Sequence, residues 1–174
     1  MRPQDILILL KKISADNRKI TNKQLSEELG ISASEVSEGL ERCRVAKLVD
    51  TNKQRVNTLA LEEFLVHGLK YVFPVVPQAK VRGMATSISA LPLSRMISSG
   101  EGYVWPDSSG DSRGEGIAPL YRSVVKAAER DECLYRLLAL TDAFRIGRTR
   151  EVELAKKELK KIFTDYDVRE CNKA

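Results

Sequence analysis

Histidine, cysteine and long apolar runs are scarce in this sequence. Its 174 residues include one histidine, His67, and three cysteines, Cys43, Cys133 and Cys171. The cysteines lie too far apart for a CxxC metal pair, and they make no complete disulfide framework. His67 falls within an apolar helical segment, where we expect it to pack rather than to act as a base or ligand. We therefore expect no enzymatic activity and no cofactor, in a reducing compartment.

The apolar run Ile6 to Leu10 is too short for a membrane span or a signal-peptide core, because Lys11 and Lys12 interrupt it. We expect a cytoplasmic protein with no membrane association. The content of 43% hydrophobic and 30% charged residues is typical of a globular chain. A net charge of +5 suits a polyanionic partner, but no segment forms a basic tail. A surface for such a partner must therefore come from where the charges are placed.

The N-terminal part of the chain predicts two successive helices. Apolar residues recur at helical spacing from Gln4 to Ile13, and the polar pair Asp16-Asn17 follows. Thr21 and Gln24 then have the spacing of a capping box, in which each side chain satisfies a free backbone N–H at a helix start. Gly30 is placed to end this second helix, since the left-handed C-cap conformation costs glycine little.

A third helix is predicted directly after a short turn, because Ser32 and Glu35 form a second capping-box pattern. Its apolar positions Val36, Leu40 and Cys43 share one stripe that can pack against the first two helices. The opposite side is predicted to be exposed and to carry Ala33, Ser34, Ser37, Glu38, Glu41 and Arg42. A helix with this arrangement can place its N-terminal half in a DNA major groove.

The residues that follow predict a β-hairpin. Ala46 to Asp50 is a strand candidate, Thr51 to Arg55 is a polar tip with two cations, and the chain returns through Val56. Asn57-Thr58 then caps a fourth helix, and Tyr71 to Pro77 is predicted to be extended because residues before proline avoid the helical region.

One pattern within this region resembles the winged helix-turn-helix of MarR-type and related bacterial regulators. It reads Leu25-x-x-Glu28-Leu29-Gly30-Ile31-Ser32-x-Ser34-x-Val36-Ser37-x-x-Leu40-x-x-Cys43-x-x-Ala46-x-Leu48-Val49. The resemblance implies a winged helix-turn-helix DNA-binding domain over residues 1–75. It also implies a sequence-specific transcriptional regulator, a repressor that binds double-stranded DNA.

The roles expected at such an interface follow from side-chain chemistry. Hydroxyls and a carboxylate can bond base edges, whereas cations hold phosphates and fix the register of the protein on the duplex. Glu41 fits neither role, and the resembled family often has a basic residue where Glu38 stands. The predicted DNA-binding residues are Ser34, Ser37 and Glu38 for bases with Ala33 beside them, Lys23, Arg42 and Arg44 for phosphates, and Lys53 and Arg55 on the hairpin.

Residues 76–174 predict a second, mainly helical domain with a small β element, so that the whole chain is α+β and mostly α. Tyr103 to Asp107 is a strand candidate, and Ser108 to Asp111 is a tight turn. Gly110 to Gly116 lacks the ending of a phosphate-binding loop and is predicted to be a flexible turn. Three helices are predicted after it, with Pro119 in the first turn of one and Asp131 and Thr149 capping the others.

Three further features of this region are candidates for function. Trp105 is either a core residue or an anchor for a partner. Arg145, Arg148 and Arg150 lie near a helix N-terminus, where the helix dipole disfavours cations, so they are either ordinary surface charge or a second contact for phosphate or acidic protein. The acidic side chains Asp107, Asp111 and Glu115 do not match a calcium loop and are predicted to be a solvated turn.

Two kinds of partner are consistent with residues 76–174. The leading hypothesis is a homodimer, because two-fold symmetry matches palindromic operators, with this region supplying dimer or partner contacts. The alternative is an antitoxin-like protein whose region 76–174 neutralises a toxin while the N-terminal part controls the operon. That alternative rests on a broad similarity of arrangement to abortive-infection antitoxins and on no motif.

Overall fold

The computed structural model describes residues 1–15, 20–97 and 102–171, and the fold is α+β and mostly helical. The helices are α1 (Pro3–Ser14), α2 (Asn22–Leu29), α3 (Ala33–Val45), α4 (Thr58–Glu63), α5 (Leu69–Val72), α6 (Val124–Glu129), α7 (Glu132–Ile146) and α8 (Thr149–Cys171). The strands are β1 (Lys80–Thr86), β2 (Tyr103–Pro106) and β3 (Ser112–Gly116).

Helix α1 lies at the centre of the molecule. All five residues from Ile6 to Leu10 have no exposed surface, so the helix is buried on every side. It packs against α2, α3 and α7. The prediction of a helix from Gln4 to Ile13 is confirmed, whereas the predicted polar stop Asp16-Asn17 lies outside the described residues.

Helices α2 and α3 begin and end at the predicted residues. Thr21 and Gln24 form a reciprocal capping box, and Gly30 has the left-handed φ of +62° at the end of α2. The Ser32 hydroxyl accepts the Glu35 N–H and caps α3. The second half of this box differs from the prediction, because the Glu35 carboxylate accepts the Ser32 hydroxyl at 3.3 Å.

The predicted strand from Ala46 to Asp50 is wrong. Ala46 and Lys47 form the turn that ends α3, and the described hairpin consists of one antiparallel bridge between Val49 and Val56. Its tip closes locally, because the Asp50 carboxylate accepts the backbone N–H groups of Gln54 and Arg55. We call residues 49–56 the hairpin.

The predicted fourth helix is present but is not a regular α-helix throughout. Asn57 caps α4, the segment Phe64–Gly68 is π-helical, and α5 continues to Val72. The prediction of an extended chain from Tyr71 is therefore wrong for its first two residues. The irregular chain begins after α5 and leads into β1.

The three strands form a small closed sheet in which each strand pairs with the other two. Strand β1 pairs antiparallel with β3 along its first half and with β2 along its second half, and it changes partner at Gly83. A Cβ atom at Gly83 would lie 2.0 Å from the Trp105 carbonyl oxygen, so this position requires glycine. The predicted flexible turn from Gly110 to Gly116 is wrong, because most of it is strand β3.

The C-terminal helices confirm one of the three predicted starts. The Asp131 side chain accepts the Leu134 N–H and caps α7, as predicted. Pro119 is outside a helix, since α6 begins at Val124, and Thr149 is the first residue of α8 rather than its cap. The α8 start is closed instead by the Arg148 N–H, which donates to the Glu151 carboxylate.

One hydrophobic core contains buried residues from both 1–75 and 76–174. A buried polar group fixes the sheet to α7 within it. The Asp142 carboxylate accepts the Trp105 indole N–H at 2.6 Å and the Thr86 hydroxyl at 2.9 Å.

In the part of the chain that the structure describes, none of the helices is both long and apolar enough to cross a membrane.

Candidate nucleic-acid interface

The outward face of α3 is open to solvent along its N-terminal half. Ala33, Ser34, Ser37 and Glu38 are all exposed there. Lys23, on the exposed side of α2, has 86% of its side chain exposed and lies 4.0 Å from Glu27. These five predicted residues are therefore accessible to a ligand.

Close packing against α1 fixes the opposite face of α3. A Cβ atom at Gly39 would lie only 2.9 Å from Asp5 Oδ1 and from the Ile8 methyl group, so the two helices approach closely at this residue. Val36, Leu40 and Cys43 are buried on the same face, as predicted. The position of the exposed face is thus set by the core.

Arg42 is an internal structural residue, although the sequence suggested a phosphate contact. Its Nε and Nη2 atoms donate to the two Asp5 carboxylate oxygens at 2.9 and 2.7 Å. Asp5 is fully buried, and Arg42 retains 25% side-chain exposure. The hydrogen bond to Asp5 raises the pKa of Arg42. Arg42 therefore joins α3 to α1 and does not extend towards solvent with a free guanidinium.

Glu41 holds the two other cations of this region together. Its carboxylate accepts from Arg44 Nε at 3.0 Å and lies 2.7 Å from Lys53 Nζ, on the hairpin. The hydrogen bonds from Arg44 and Lys53 lower the pKa of Glu41 to about 2. We call these three residues the Glu41 cluster. It contains two cations and one anion, and it links the end of α3 to the hairpin.

Sequence reasoning left Glu41 without a role. The signal in the sequence was the short distance between Glu41 and Arg44 along one helix, which is a favourable i, i+3 pair. The contact with Lys53 depends on how the hairpin folds back, and no local pattern predicts it.

Arg55, the second predicted hairpin cation, lies towards α8. Its Nη2 atom is 3.6 Å from the Asp167 carboxylate. The same helix holds the hairpin base, since the Tyr166 hydroxyl accepts the Val56 N–H at 2.9 Å and Asp167 accepts the Thr58 hydroxyl at 2.6 Å. An open groove of about 850 Å³ is lined by the end of α3, the hairpin and the start of α4, together with Asp167 of α8. Its cationic lining residues are Arg44, Lys47 and Arg55.

The charges around α3 are divided between two regions. The N-terminal half carries the carboxylates Glu35 and Glu38 beside its serines, whereas the cations Arg44, Lys47 and Lys53 lie at its C-terminal end and on the hairpin. A polyanion would therefore meet its cationic contacts beside the hairpin and its polar contacts along the first turns of α3.

Neither alternative that the sequence left for Arg145, ordinary surface charge or a contact with phosphate or acidic protein, is correct, because its side chain is buried. The Arg145 side chain is 5% exposed and pairs with buried Asp142 at 2.7 Å. It also donates to the carbonyl oxygens of Phe73 and Ala118. Arg148 and Arg150 are exposed, so the three arginines do not form one surface.

The structure also places three other candidate residues, Trp105, His67 and Glu115. Trp105 is 1% exposed and belongs to the core, which resolves the two alternatives that the sequence left. The prediction that His67 packs internally is wrong, because it is exposed on the π-helical segment. Glu115 lies on strand β3 rather than in the predicted acidic turn. Among the described residues, no group of three or more His, Cys, Asp or Glu side chains is arranged to hold a metal ion.

Comparison of the chain with protein-family models, curated proteins and solved structures finds no match.

Proposed function

We propose that this protein is a sequence-specific DNA-binding transcriptional regulator, a repressor whose α2–α3 pair acts as a helix-turn-helix and whose hairpin acts as a wing. The observation that supports this most strongly is the N-terminal half of α3. It is exposed and polar on one side, while Gly39 and Arg42 fix the other side against α1. A recognition helix requires both a solvent-exposed side that can contact bases and an opposite side that is packed firmly against the domain.

In this proposal the first turns of α3 enter the major groove. Ser34 and Ser37 present hydroxyls that donate to or accept from base edges, and the Glu38 carboxylate accepts from cytosine N4. Lys23 at the start of α2 reaches a phosphate on one side of the groove. Each of these side chains is exposed in the free protein, so binding requires no unfolding.

The Glu41 cluster supplies phosphate contacts on the other side. Arg44 and Lys53 keep 38% and 33% side-chain exposure while bonded to Glu41. Arginine has five N–H donors and lysine has three, so both retain donors for phosphate oxygens. Since Glu41 orders both long side chains before binding, part of their conformational entropy is already lost, and less is lost on DNA.

A homodimer fits this role, because two copies related by a two-fold axis would read a palindromic operator and double the contact area. Residues 76–174 would then supply the dimer or partner surface. Analytical ultracentrifugation with and without the selected duplex measures the stoichiometry.

Selection from a random duplex library, read by sequencing, tests the proposal. We expect the parent to enrich one motif, and Ser37→Ala and Glu38→Gln to relax the preference at separate base pairs. An exposed serine outside the interface, Ser108, provides the matched control Ser108→Ala, which should leave the motif unchanged. A library that returns no motif, or binding that is equal for all duplexes at several salt concentrations, would overturn the proposal.

A further inference from the structure

The outward face of α8 carries a row of cations that the α3 site does not use. The inner side of the helix is apolar and buried, with Leu159 and Phe163 in the core. Several exposed positions on the opposite side are basic, and they recur at helical spacing. We call this side the α8 basic face, and its exposed cations are Arg150, Lys157, Lys160 and Lys161.

Carboxylates offset only part of this charge, and Asp167, on the same side of the helix as Lys160, pairs with Arg55. Glu153 lies on the same side of the helix, and Asp165 is exposed at its margin. Lys161 pairs with Glu158, which is mostly buried, and 69% of the lysine side chain stays exposed. The face therefore remains positive.

One residue of the α8 basic face, Lys160, shares a side of the helix with Asp167, which lines the groove beside the hairpin. Lys160 and Asp167 are seven residues apart, so they share one side of α8 and are separated by two turns, about 10 Å. Asp167 lines the groove beside the hairpin and bonds Thr58 there. Lys160 therefore lies about two helical turns from the residue by which α8 lines the groove.

We propose that the α8 basic face binds backbone phosphates of the same duplex that α3 reads, in the flanking DNA beyond the hairpin. This inference rests on the proposed function. Lys157 and Lys161 are one turn apart, about 6 Å along the helix, and phosphates rise about 3.4 Å per step along one strand. This separation is close to two such steps, so the lysines can face phosphates about two steps apart on a single strand.

A nucleic-acid backbone fits this face better than a membrane surface does. A membrane-bound helix inserts an apolar side below its basic side. The large apolar residues of the central turns of α8 are committed to the core, so this stretch offers charge and little apolar surface. Phosphate contacts of this kind add affinity but carry no sequence information.

The test compares the parent with the double variant Lys157→Ala/Lys160→Ala. The binding constant of each protein is measured at several salt concentrations, on the selected duplex and on a random duplex of equal length. Each lost phosphate contact lowers the slope of log K against log salt by about 0.9, so the slope should fall by about two. Affinity at about 0.1 M salt should fall by roughly tenfold or more for both duplexes, and their ratio should stay unchanged.

A matched control removes two exposed lysines elsewhere, Lys70 on α5 and Lys126 on α6, in Lys70→Ala/Lys126→Ala. This variant should keep the parent slope, and thermal melts should show that both variants remain folded. If the parent enriches a motif but Lys157→Ala/Lys160→Ala keeps its slope, or if the control loses as much slope, the α8 inference is overturned while the proposed function stands. A changed ratio between the two duplexes also overturns it. If the parent binds neither duplex, the proposed function itself fails.

Discussion

Replacing Arg42 by methionine should destabilise the fold rather than remove a DNA contact. The guanidinium is the charged partner of Asp5, and the Asp5 carboxylate is fully buried between α1 and α3. Methionine keeps the length and the apolar stem of the side chain but removes its charge and its donors. The Asp5 carboxylate then keeps the hydrogen bond from the Arg2 backbone N–H, at 2.7 Å. A buried charge that loses its counter-ion is among the most costly changes in a protein interior.

The magnitude follows from the burial of the two groups. Removing one partner of a fully buried ion pair costs about 3–5 kcal/mol. Arg42 keeps 25% exposure, so water reaches part of the site and the lower end of this range applies, about 3 kcal/mol. Typical domains have unfolding free energies of about 5–15 kcal/mol, so the loss is large enough to measure and leaves a folded population.

Urea unfolding of the parent and of Arg42→Met at neutral pH, followed by circular dichroism, measures this loss. Arg150→Met is the matched control, because Arg150 is exposed, and it should change stability by less than about 0.5 kcal/mol. The double variant Asp5→Asn/Arg42→Met should recover part of the loss, with a coupling free energy of about 1 kcal/mol or more. An Arg42→Met protein as stable as the parent would refute the assignment of Arg42 to the fold.

Two further changes test how α1 is held. Gly39→Ala should lower the unfolding free energy by about 1 kcal/mol. Overpacking against Ile8 costs about 1–3 kcal/mol, which outweighs the gain of about 1 kcal/mol in helix propensity. A higher urea midpoint would contradict this. For Asp131, burial alone would raise the pKa, but hydrogen bonds from the Leu134 N–H, Lys11 and Ser14 lower it overall. A lowered folded-state pKa gives stability that is complete above the ordinary value near 4 and is lost as the pH falls, so the stability difference between the parent and Asp131→Asn should shrink from pH 7 to about pH 3. An equal difference at both pH values would refute the role of the charge.

The sequence predicted best where structure depends on neighbouring residues. The capping residues Thr21, Ser32 and Asp131 and the left-handed Gly30 act within one helical turn, and all four are found as predicted. The hairpin strand failed because a single bridge and the Asp50 side chain suffice to close the loop.

The candidate site was less predictable, because long-range packing decides where its charges go. The exposed positions of α3 follow from helical periodicity. The structure confirms exposure at Ala33, Ser34, Ser37 and Glu38, whereas Glu41 and Arg42 are only partly exposed. Arg42 and Arg145 have the same polar character in sequence as exposed arginines. The buried Asp5 carboxylate, 37 residues away in the chain, holds Arg42 against α1, and the carbonyl oxygens of Phe73 and Ala118, 72 and 27 residues away, hold Arg145 together with the local Asp142. The contact between Glu41 and Lys53 likewise requires the fold of the hairpin.

The central position of α1 has a consequence for how the molecule forms. Its Lys11 amine lies 2.6 Å from the Asp131 carboxylate at the start of α7, and α7 covers one of its sides. Helix α1 thus lacks its final cover until α7 has left the ribosome, because Lys11 and Asp131 are 120 residues apart in the chain. A fragment ending at residue 75 would expose leucine and isoleucine side chains of α1 to water. We expect it to aggregate during expression rather than to bind DNA.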